Sequence, residues 1–238
     1  MNFASDSYTA VGGRTNNEDA LLCCTKKDCH LFAVADGLGG HDSGELASEL
    51  VINEMRLLFE DNPSSFDMEQ SILSANRKIL QLQEETGLKM KTTIVAAYVA
   101  DKMVYVTNVG DSRIYAFKDD KIIYQSIDHS ASQMAVTIGE ITPEQIRNHE
   151  DRNVLTRALG VSDNLKVDCI GFKVDEFDAL LLCSDGFWEY VLEEDMVKTL
   201  LTSKNPDVWL YKMREVLCSN TPPNNDNNTA ITVMKRGE

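Results

Sequence analysis

Three aspartates stand beside short apolar runs that have the length of buried strands. Asp36 and Asp185 each follow such a run and precede a glycine, and Asp226 lies shortly before the last apolar run of the chain. A carboxylate at the rim of a buried strand is held rigidly, and several rims on one side of packed sheets bring together negative charges that a cation must balance. Asp-Gly is also a common turn dipeptide, so each pair taken alone favours an ordinary turn. Taken together, the three aspartates are compatible both with a site for a hard cation and with simple turns, and both interpretations stay open.

The first part of the chain is predicted to place Asp36 between strands and helices. Apolar runs predict strands over 20–24 and 30–35, and the glycine-rich 36–40 predicts a turn. Apolar residues at three- and four-residue spacing then predict two amphipathic helices. The first helix carries Leu46, Leu50, Val51, Met55 and Leu58, and the second carries Met68, Ile72, Ala75, Ile79 and Leu82.

The second part of the chain changes from helix to strand and back. Residues 92–126 hold β-branched and aromatic runs divided by short polar turns, which predicts a meander of antiparallel strands. The run 179–183 is continuously apolar and predicts a strand buried on both faces. Helices are predicted over 193–202 and 206–218, and a last strand over 230–234. Two blocks of helices around a meander imply sheet layers covered by helices, and not a parallel βαβ repeat.

The composition excludes several classes of function. With 23 basic and 38 acidic residues among 238, the chain has a formal net charge of −15, which disfavours binding to nucleic acid or to anionic membranes. The chain begins without a signal-peptide pattern, and its longest apolar run, 94–100, is shorter than the ~20 residues that span a bilayer, so a cytoplasmic location is expected. The six cysteines form no CxxC pair, and Asp42 stands where a dinucleotide-binding fingerprint needs its third glycine. Cysteine chemistry and nucleotide binding are therefore poorly supported.

Eight short motifs occur in order along nearly the whole chain. They are GRTNNEDA at 13–20, ADGLGGH at 35–41, TT at 92–93, GDSR at 110–113, DHS at 128–130, NVLTRALG at 153–160, CSDG at 183–186 and DNNT at 226–229. In content and order they resemble the metal-dependent type 2C Ser/Thr protein phosphatases, the PPM family. Most of the motifs are weak alone, but eight in the family's order are very specific. The resemblance implies an α+β fold, a four-layer α-β-β-α sandwich with two central antiparallel sheets flanked by helix pairs, and a single domain over 1–238.

By this resemblance the aspartates would hold two divalent cations, with a third in some members. Asp36 would bridge the two ions, with the Gly37 carbonyl on one of them and Asp185 and Asp226 on the other. Asp111, together with Asp185, matches the position of the weaker third ion. Ligands of carboxylate, carbonyl and water without thiolate suit Mn²⁺ or Mg²⁺. Two such ions about 4 Å apart lower the pKa of a shared water, so that hydroxide can attack phosphorus with no phosphoenzyme intermediate.

Residues near the start of the chain complete the implied site. Glu18 and Asp19 would bind or orient metal-bound waters, and Arg14 would grip the phosphoryl oxygens, which its planar fork suits. Leu38 stands where many eukaryotic members carry a histidine thought to protonate the leaving group, which indicates an enzyme of bacterial type. The leaving-group acid stays open between His41 and a metal-bound water, and His41 is left out of the catalytic set.

The implied activity is hydrolysis of phosphoserine and phosphothreonine in proteins by a monomer that opposes a Ser/Thr kinase. Residues 131–152 correspond to the family's flap beside the active site, a polar loop that we expect to be mobile and to influence substrate choice. Two alternatives remain open. One is a scaffold of the same fold that has lost catalysis, against which the intact Arg14, Asp36, Asp185 and Asp226 argue. The other is a phosphatase for small phosphorylated metabolites.

Overall fold

The computed structural model describes residues 3–39 and 43–235, which form eleven strands and six α-helices. The strands are β1 (Phe3–Ala10), β2 (Asp19–Lys26), β3 (Cys29–Leu38), β4 (Lys91–Thr92), β5 (Ile94–Ala100), β6 (Met103–Val109), β7 (Arg113–Lys118), β8 (Lys121–Gln125), β9 (Asp168–Lys173), β10 (Ala179–Cys183) and β11 (Asn228–Lys235). The α-helices are α1 (Ser43–Asp61), α2 (Met68–Thr86), α3 (Ala131–Thr137), α4 (Asp185–Trp188), α5 (Glu193–Leu201) and α6 (Pro206–Asn220). Short 3-10 helices cover Pro63–Ser65, Pro143–Asn148 and Val174–Glu176.

The strands form two antiparallel sheets that pack face to face. One sheet has the order β1-β11-β10-β7-β8, and the other has the order β2-β3-β5-β6-β9, with β4 paired to the end of β3. Helices α1 and α2 cover the outer face of the second sheet, and α5 and α6 cover the outer face of the first. The predicted α+β class and the four-layer α-β-β-α sandwich are confirmed.

Alternation along the central strands divides the core into three layers. Along β3, Leu31 and Ala33 pack toward α1 and α2, whereas Phe32 and Val34 pack between the sheets. This follows from the two-residue period of a strand, which sends successive side chains to opposite faces. Strand β10 is buried on both faces, as its unbroken apolar run 179–183 predicts. Strands β3 and β10 are therefore packed on both faces, which fixes the backbone that leads to Asp36 and to Asp185.

Helix α1 forms where the sequence predicts it, and of the predicted stripe Val51 and Met55 are fully buried while the leucines are not. The side chains that pack on the sheet are centred on Ala47, Val51, Met55 and Phe59, all with 0% exposure. The predicted stripe included Leu46, Leu50 and Leu58, which are exposed or only partly buried. Small residues such as Ala47 let the helix approach the sheet closely, and a pattern based on the leucines misses them. Helix α2 buries Met68, Ile72, Ala75 and Ile79 as predicted, with Leu82 only partly buried.

Several elements differ from the sequence prediction. Strand β3 continues through Leu38, so Asp36 and Gly37 lie in the strand and not in a turn. The sequence does not predict β1 or β9, which are edge strands of their sheets and bury few of their residues. Edge strands need less apolar surface than central strands, so their sequence signal is weak. Helix α4 was also missed, because its four residues are too short for a periodic pattern.

The predicted flap is an irregular segment with short helices. Residues 131–152 contain α3 and the 3-10 helix Pro143–Asn148. The Arg147 guanidinium donates to the Glu193 carboxylate at 2.9 Å and to the Trp188 carbonyl at 3.2 Å, which ties the flap to α4 and α5. Among residues 3–39 and 43–235, no helix combines the length and apolar character needed to cross a membrane.

Candidate active site

The first acidic residues of the site come from neighbouring strands. Asp19 begins β2 and lies opposite Asp36 of β3 in the antiparallel register. The Gly37 amide donates to the Glu18 carbonyl at 3.1 Å, which fixes Glu18 at the same end of the sheet. Gly37 cannot carry a side chain without a backbone shift, because an added Cβ would lie 2.1 Å from the Gly44 carbonyl oxygen in α1. Strand pairing thus brings four predicted site residues together, namely Glu18, Asp19, Asp36 and Gly37.

Two further aspartates come from the other sheet. Asp185 is the first residue of α4, just after β10, and Asp226 lies just before β11. Strands β10 and β11 are paired, so the two aspartates emerge at the same edge. The Ser184 hydroxyl donates to the Asp19 carboxylate at 2.8 Å and accepts from the Thr229 amide at 3.0 Å. This hydroxyl joins the acidic edges of the two sheets.

Asp111 comes from the turn between β6 and β7. Its carbonyl accepts a hydrogen bond from the Trp188 indole N–H at 2.9 Å, which ties the turn to α4. On the next residue, the Ser112 hydroxyl lies 2.7 Å from the Thr93 hydroxyl. The Thr93 hydroxyl also accepts from the Asp36 amide at 3.0 Å. These bonds hold the Asp111 turn beside both Asp36 and α4.

The predicted site residues surround one cleft with a volume of about 640 Å³. Seven of the eight line it: Arg14, Glu18, Asp36, Gly37, Asp111, Asp185 and Asp226. The eighth, Asp19, is buried against Ser184 and has 8% exposure. The rest of the lining consists of Thr15, Asn16, Leu38, Gly39, Asn153, Leu155 and Asn227. Residues from both ends of the chain therefore meet at one place.

Burial and mutual repulsion disfavour the charged forms of these carboxyl groups. Burial, followed by the charges of Asp19 and Asp185, raises the pKa of Asp36 well above its ordinary value. Burial and the charges of Asp226 and Glu189 raise the pKa of Asp185 to about 7. The pKa of Asp19 rises to about 6, mainly through burial. A nearby positive charge would restore the ionised forms, since opposite charges favour the charged state of a carboxyl group.

The donor set fits a hard divalent cation. The buried oxygens Asp19 Oδ1 and Asp185 Oδ1 have no hydrogen-bond partner, so each can accept a further ligand. Carboxylate oxygens together with the Gly37 carbonyl are the donors that Mg²⁺ and Mn²⁺ prefer. Within residues 3–39 and 43–235, however, no three His, Cys, Asp or Glu side chains are placed so that they could hold one ion together. The cleft thus has suitable donors without a closed ligand set, and the metal roles of individual residues stay predictions.

Arg14 lies at the mouth of the cleft. Its Nη2 donates to Asp226 Oδ2 at 2.7 Å, with side-chain exposures of 57% and 38%. An ion pair this exposed contributes only about 0–1 kcal/mol to stability. The guanidinium is therefore close to the acidic cleft and readily accessible to another anion.

Comparison with known proteins identifies the family of this chain. A family model described as protein phosphatase 2C matches residues 9–217. The chain belongs to this protein phosphatase family. Seven of the eight motifs lie wholly inside the matched range, and the motif at 226–229 follows it.

Relatives and solved structures support the same assignment for this phosphatase. The serine/threonine phosphatase stp of Listeria innocua is 34% identical over 236 residues, covering 93% of this chain and 91% of that relative. The crystal structure of the serine/threonine phosphatase Stp1 from Staphylococcus aureus has a TM-score of 0.90 at 29% identity, covering 100% of this chain and 96% of that chain. A PstP catalytic domain in complex with two manganese ions has a TM-score of 0.83 at 27% identity, covering 98% and 97% of the two chains. The predicted resemblance to type 2C phosphatases of bacterial type is confirmed.

Leu38 is part of the phosphatase cleft. It is partly buried, lines the cleft, and pairs through its backbone with Lys91 of β4. An aliphatic side chain can shape the cleft but cannot protonate a leaving group. His41, the alternative considered for that step, lies outside the described residues.

Sequence reasoning assigned no role to several residues that build the phosphatase site. Thr93 and Ser184 bond directly to the backbone or side chain of site aspartates. Asn227 lines the cleft and bonds to the Glu18 amide. All three lie inside the eight motifs, so the signal was present in their position next to an aspartate or within the TT pair. Their partners are distant in sequence, and the chain alone does not reveal them.

Proposed function

We propose that this phosphatase removes phosphate from phosphoserine and phosphothreonine in proteins, using divalent cations bound by the cleft carboxylates. The observation that carries the proposal is the meeting of Asp36, Asp111, Asp185 and Asp226 around one cleft. Burial and neighbouring negative charges raise the pKa of Asp36, Asp111 and Asp185, so these groups favour a cation close by. The serine/threonine phosphatases that match nearly the whole chain support the substrate class.

Mn²⁺ or Mg²⁺ suits the donors of the cleft, whose described lining contains no cysteine or histidine. In the proposed arrangement, the Asp36, Asp185 and Asp226 carboxylates and the Gly37 carbonyl would hold the core ions. Asp111 with Asp185 would provide a third position. When bound, the core ions would lower the pKa of a water, which could then attack phosphorus without a phosphoenzyme intermediate. The manganese ions in the similar PstP structure support this choice of metal.

The chain's own side chains bind and orient the reactants. Arg14 binds the phosphoryl oxygens. Its guanidinium is exposed at the cleft mouth and forms only a weak ion pair with Asp226, which a phosphate dianion can replace. Asp19 directs its unpartnered Oδ1 toward ordered water while Ser184 holds its Oδ2. Glu18, at the cleft wall, orients a second water. These groups place the attacking water and the phosphorus without forming a covalent bond to the substrate.

The relatives favour protein substrates over small metabolites. Three further properties stay predictions: an opposing Ser/Thr kinase, a monomeric state and a single domain over 1–238.

The flap at 131–152 packs against α4 and α5 through Arg147, which places it near the helix that begins with Asp185. Asn153 and Leu155, which directly follow this segment, line the cleft. We therefore propose the flap as a contributor to substrate choice.

The proposal is tested by hydrolysis of p-nitrophenyl phosphate and of a phosphothreonine peptide, with Mn²⁺, with Mg²⁺ and with a chelator. We expect turnover of both substrates that requires the cation and is abolished by chelation. Activity that survives chelation would remove the metal mechanism. Hydrolysis of p-nitrophenyl phosphate and phosphorylated metabolites without hydrolysis of the peptide would favour a metabolite phosphatase, and no turnover under any condition would favour a scaffold.

A further inference from the structure

The loop between β1 and β2 carries Arg14, yet its conformation is set from the other end of the chain. Asn227 reaches this loop with its side-chain amide. Its Oδ1 accepts from the Glu18 amide at 2.8 Å, and its Nδ2 donates to the Val11 carbonyl at 2.8 Å and to the Asn16 carbonyl at 2.9 Å. One side chain therefore fastens the loop at three backbone points, on both sides of Arg14.

The hydrogen-bonding groups around Asn227 require an amide of this length. Two backbone carbonyls need donors, and one backbone N–H needs an acceptor. An aspartate in this place would offer only acceptors, and a leucine would offer neither. Asn227 is 6% exposed, so water cannot readily replace the lost bonds. Backbone groups left without partners in such a position are costly, and the loop would be expected to move.

Asn227 also contacts the residues that meet Arg14 in the cleft. Its backbone N–H donates to Asp226 Oδ1 at 2.8 Å, while Arg14 Nη2 donates to Asp226 Oδ2 at 2.7 Å. On its other side, a Cβ added at Gly186 would lie 2.1 Å from the Asn227 carbonyl oxygen, so α4 packs directly on this backbone. Asn227 is thus fixed between the Arg14 loop, Asp226 and α4.

We propose that Asn227 is a positioning residue for phosphate binding, which acts by holding the loop 11–18 so that the Arg14 guanidinium faces the cleft. The inference rests on the proposed role of Arg14 as the phosphate-binding side chain. Asn227 itself needs no contact with substrate in this arrangement. Its removal should therefore weaken phosphate binding only through Arg14.

A double-mutant cycle tests this dependence. Asn227→Ala, Arg14→Ala and the double variant are compared for competitive inhibition by inorganic phosphate, with p-nitrophenyl phosphate as substrate and Mn²⁺ present. We expect each single variant to raise the inhibition constant of phosphate, by about tenfold for Asn227→Ala, as is common when the partner of a site residue is removed. The double variant should bind phosphate no more weakly than Arg14→Ala alone, because coupled residues are not additive.

Asn76 provides a matched control. It is 1% exposed and joins two backbone groups in the same manner, donating to the Ser162 carbonyl at 2.9 Å and accepting from the Gly160 amide at 2.8 Å. Its contacts lie outside the cleft lining. Asn76→Ala should lower the melting temperature, as Asn227→Ala does, but leave the inhibition constant of phosphate unchanged.

Residue-resolved hydrogen exchange of the protein without added metal gives a readout that does not depend on activity. In Asn227→Ala, the Glu18 amide and its neighbours in the loop 11–18 should exchange faster, whereas Asn76→Ala should leave them unchanged. Asn227→Asp keeps nearly the same shape and the acceptor for the Glu18 amide but loses both donors. That variant should keep Glu18 protected while it weakens phosphate inhibition, and it serves if the alanine variant fails to fold.

The outcomes separate this inference from the proposed function. Multiplicative effects in the double variant, or unchanged exchange of the loop 11–18 in Asn227→Ala, would overturn the positioning role. If Arg14→Ala weakens phosphate inhibition and Asn227→Ala does not, the role of Asn227 is wrong and that of Arg14 stands. If Arg14→Ala has no effect on phosphate inhibition, both roles are wrong.

Discussion

Asp36 lies in a strand of one sheet and Asp185 follows a strand of the other, yet both carboxyl groups line one cleft, and the charge of Asp185 helps to raise the pKa of Asp36. Two negative charges in such a cleft repel, and the repulsion is stronger where water is partly excluded. Folding therefore brings together groups that would be more stable apart. Carboxylates in such arrangements are characteristic of functional sites, where a ligand or a cation supplies the missing charge.

At the scale of the residue, Asp36→Asn and Asp185→Asn should each abolish Mn²⁺-dependent turnover and yet stabilise the metal-free protein. Asparagine has almost the same shape as aspartate, but it removes one of the repelling charges. A gain of about 1 kcal/mol corresponds to a rise of roughly 2–4 °C in melting temperature for a chain of this size. Melting in the presence of a chelator and again with Mn²⁺ measures both effects, because a cation that binds the folded state raises the melting temperature.

Asp163→Asn is a suitable comparison, because Asp163 is exposed and lies outside the cleft lining. It should retain both turnover and the Mn²⁺-induced rise in melting temperature. A cleft variant that keeps near wild-type turnover would remove that aspartate from the metal site. Loss of stability in chelator would show that repulsion is not the dominant interaction of that side chain.

The sequence predicts the members of the site far better than the contacts that hold them. Asp36, Asp185 and Asp226 could be chosen because each lies beside an apolar run, and Arg14 because it lies in a motif of the family. Asn227 could not be given a role, since its partners are about 210 positions away and become neighbours only when β1 pairs with β11. Hydrogen bonds between distant loops leave no periodic pattern in the chain.

At the scale of the element, a buried ion pair connects β7, the turn after β8 and α4. The Arg113 guanidinium donates to both carboxylate oxygens of Asp128, at 2.9 and 2.7 Å, and both side chains are nearly inaccessible. Arg113 also lies over the Trp188 ring, 3.5 Å from its centroid. Trp188 in turn holds the Asp111 carbonyl, so this pair supports the backbone of the acidic cleft from behind.

Removing one member of this pair should be strongly destabilising. Arg113→Met or Asp128→Leu leaves a buried charge without its main partner, and such changes cost about 3–5 kcal/mol. Urea unfolding of each variant measures the loss. The double variant Arg113→Met with Asp128→Leu should lose less stability than the sum of the single changes, because no unpaired charge remains.

The exposed pair Lys118–Asp178 offers the contrast. Its side chains are 33% and 51% exposed at a separation of 2.8 Å, and Asp178→Asn should cost much less stability than either change in the buried pair. Equal losses from the two pairs would show that burial does not determine the contribution of Arg113. Additive losses in the Arg113 and Asp128 double variant would contradict a direct interaction.

The elements themselves follow from the sequence in proportion to how much apolar surface they bury. Strand β10 and helices α2, α5 and α6 have strong patterns and were predicted close to their observed bounds. The edge strands β1 and β9 were missed because backbone pairing with a neighbour, more than their own side chains, holds them in place. The buried face of α1 was predicted only in part: Val51 and Met55 are buried as expected, whereas the buried Ala47 and Phe59 were not included.

At the scale of the whole molecule, the packing of the two sheets makes stability depend on pH. His30 of β3 is 7% exposed and packs against Phe3 and Phe32, which belong to the core between the sheets. Its Nδ1 lies 2.9 Å from the Thr25 hydroxyl. Burial lowers the pKa of His30 below its ordinary value, because the protonated ring is poorly solvated there.

The unfolded chain therefore binds a proton at His30 at a higher pH than the folded protein does, near the ordinary pKa of about 6.5. Where the unfolded state binds more protons, the free energy of unfolding rises with pH. This contribution is fully present above the ordinary pKa and is lost as the pH falls toward the lowered folded pKa. The raised pKa values of Asp19 and Asp185 make stability change with pH in the opposite direction. The contribution of His30 is therefore obtained as the difference in unfolding free energy between wild type and His30→Gln.

We expect the wild type to lose more stability than His30→Gln between pH 7.5 and about 5 in urea unfolding with a chelator present. An equal slope in wild type and His30→Gln would show that burial of this ring does not couple sheet packing to protonation.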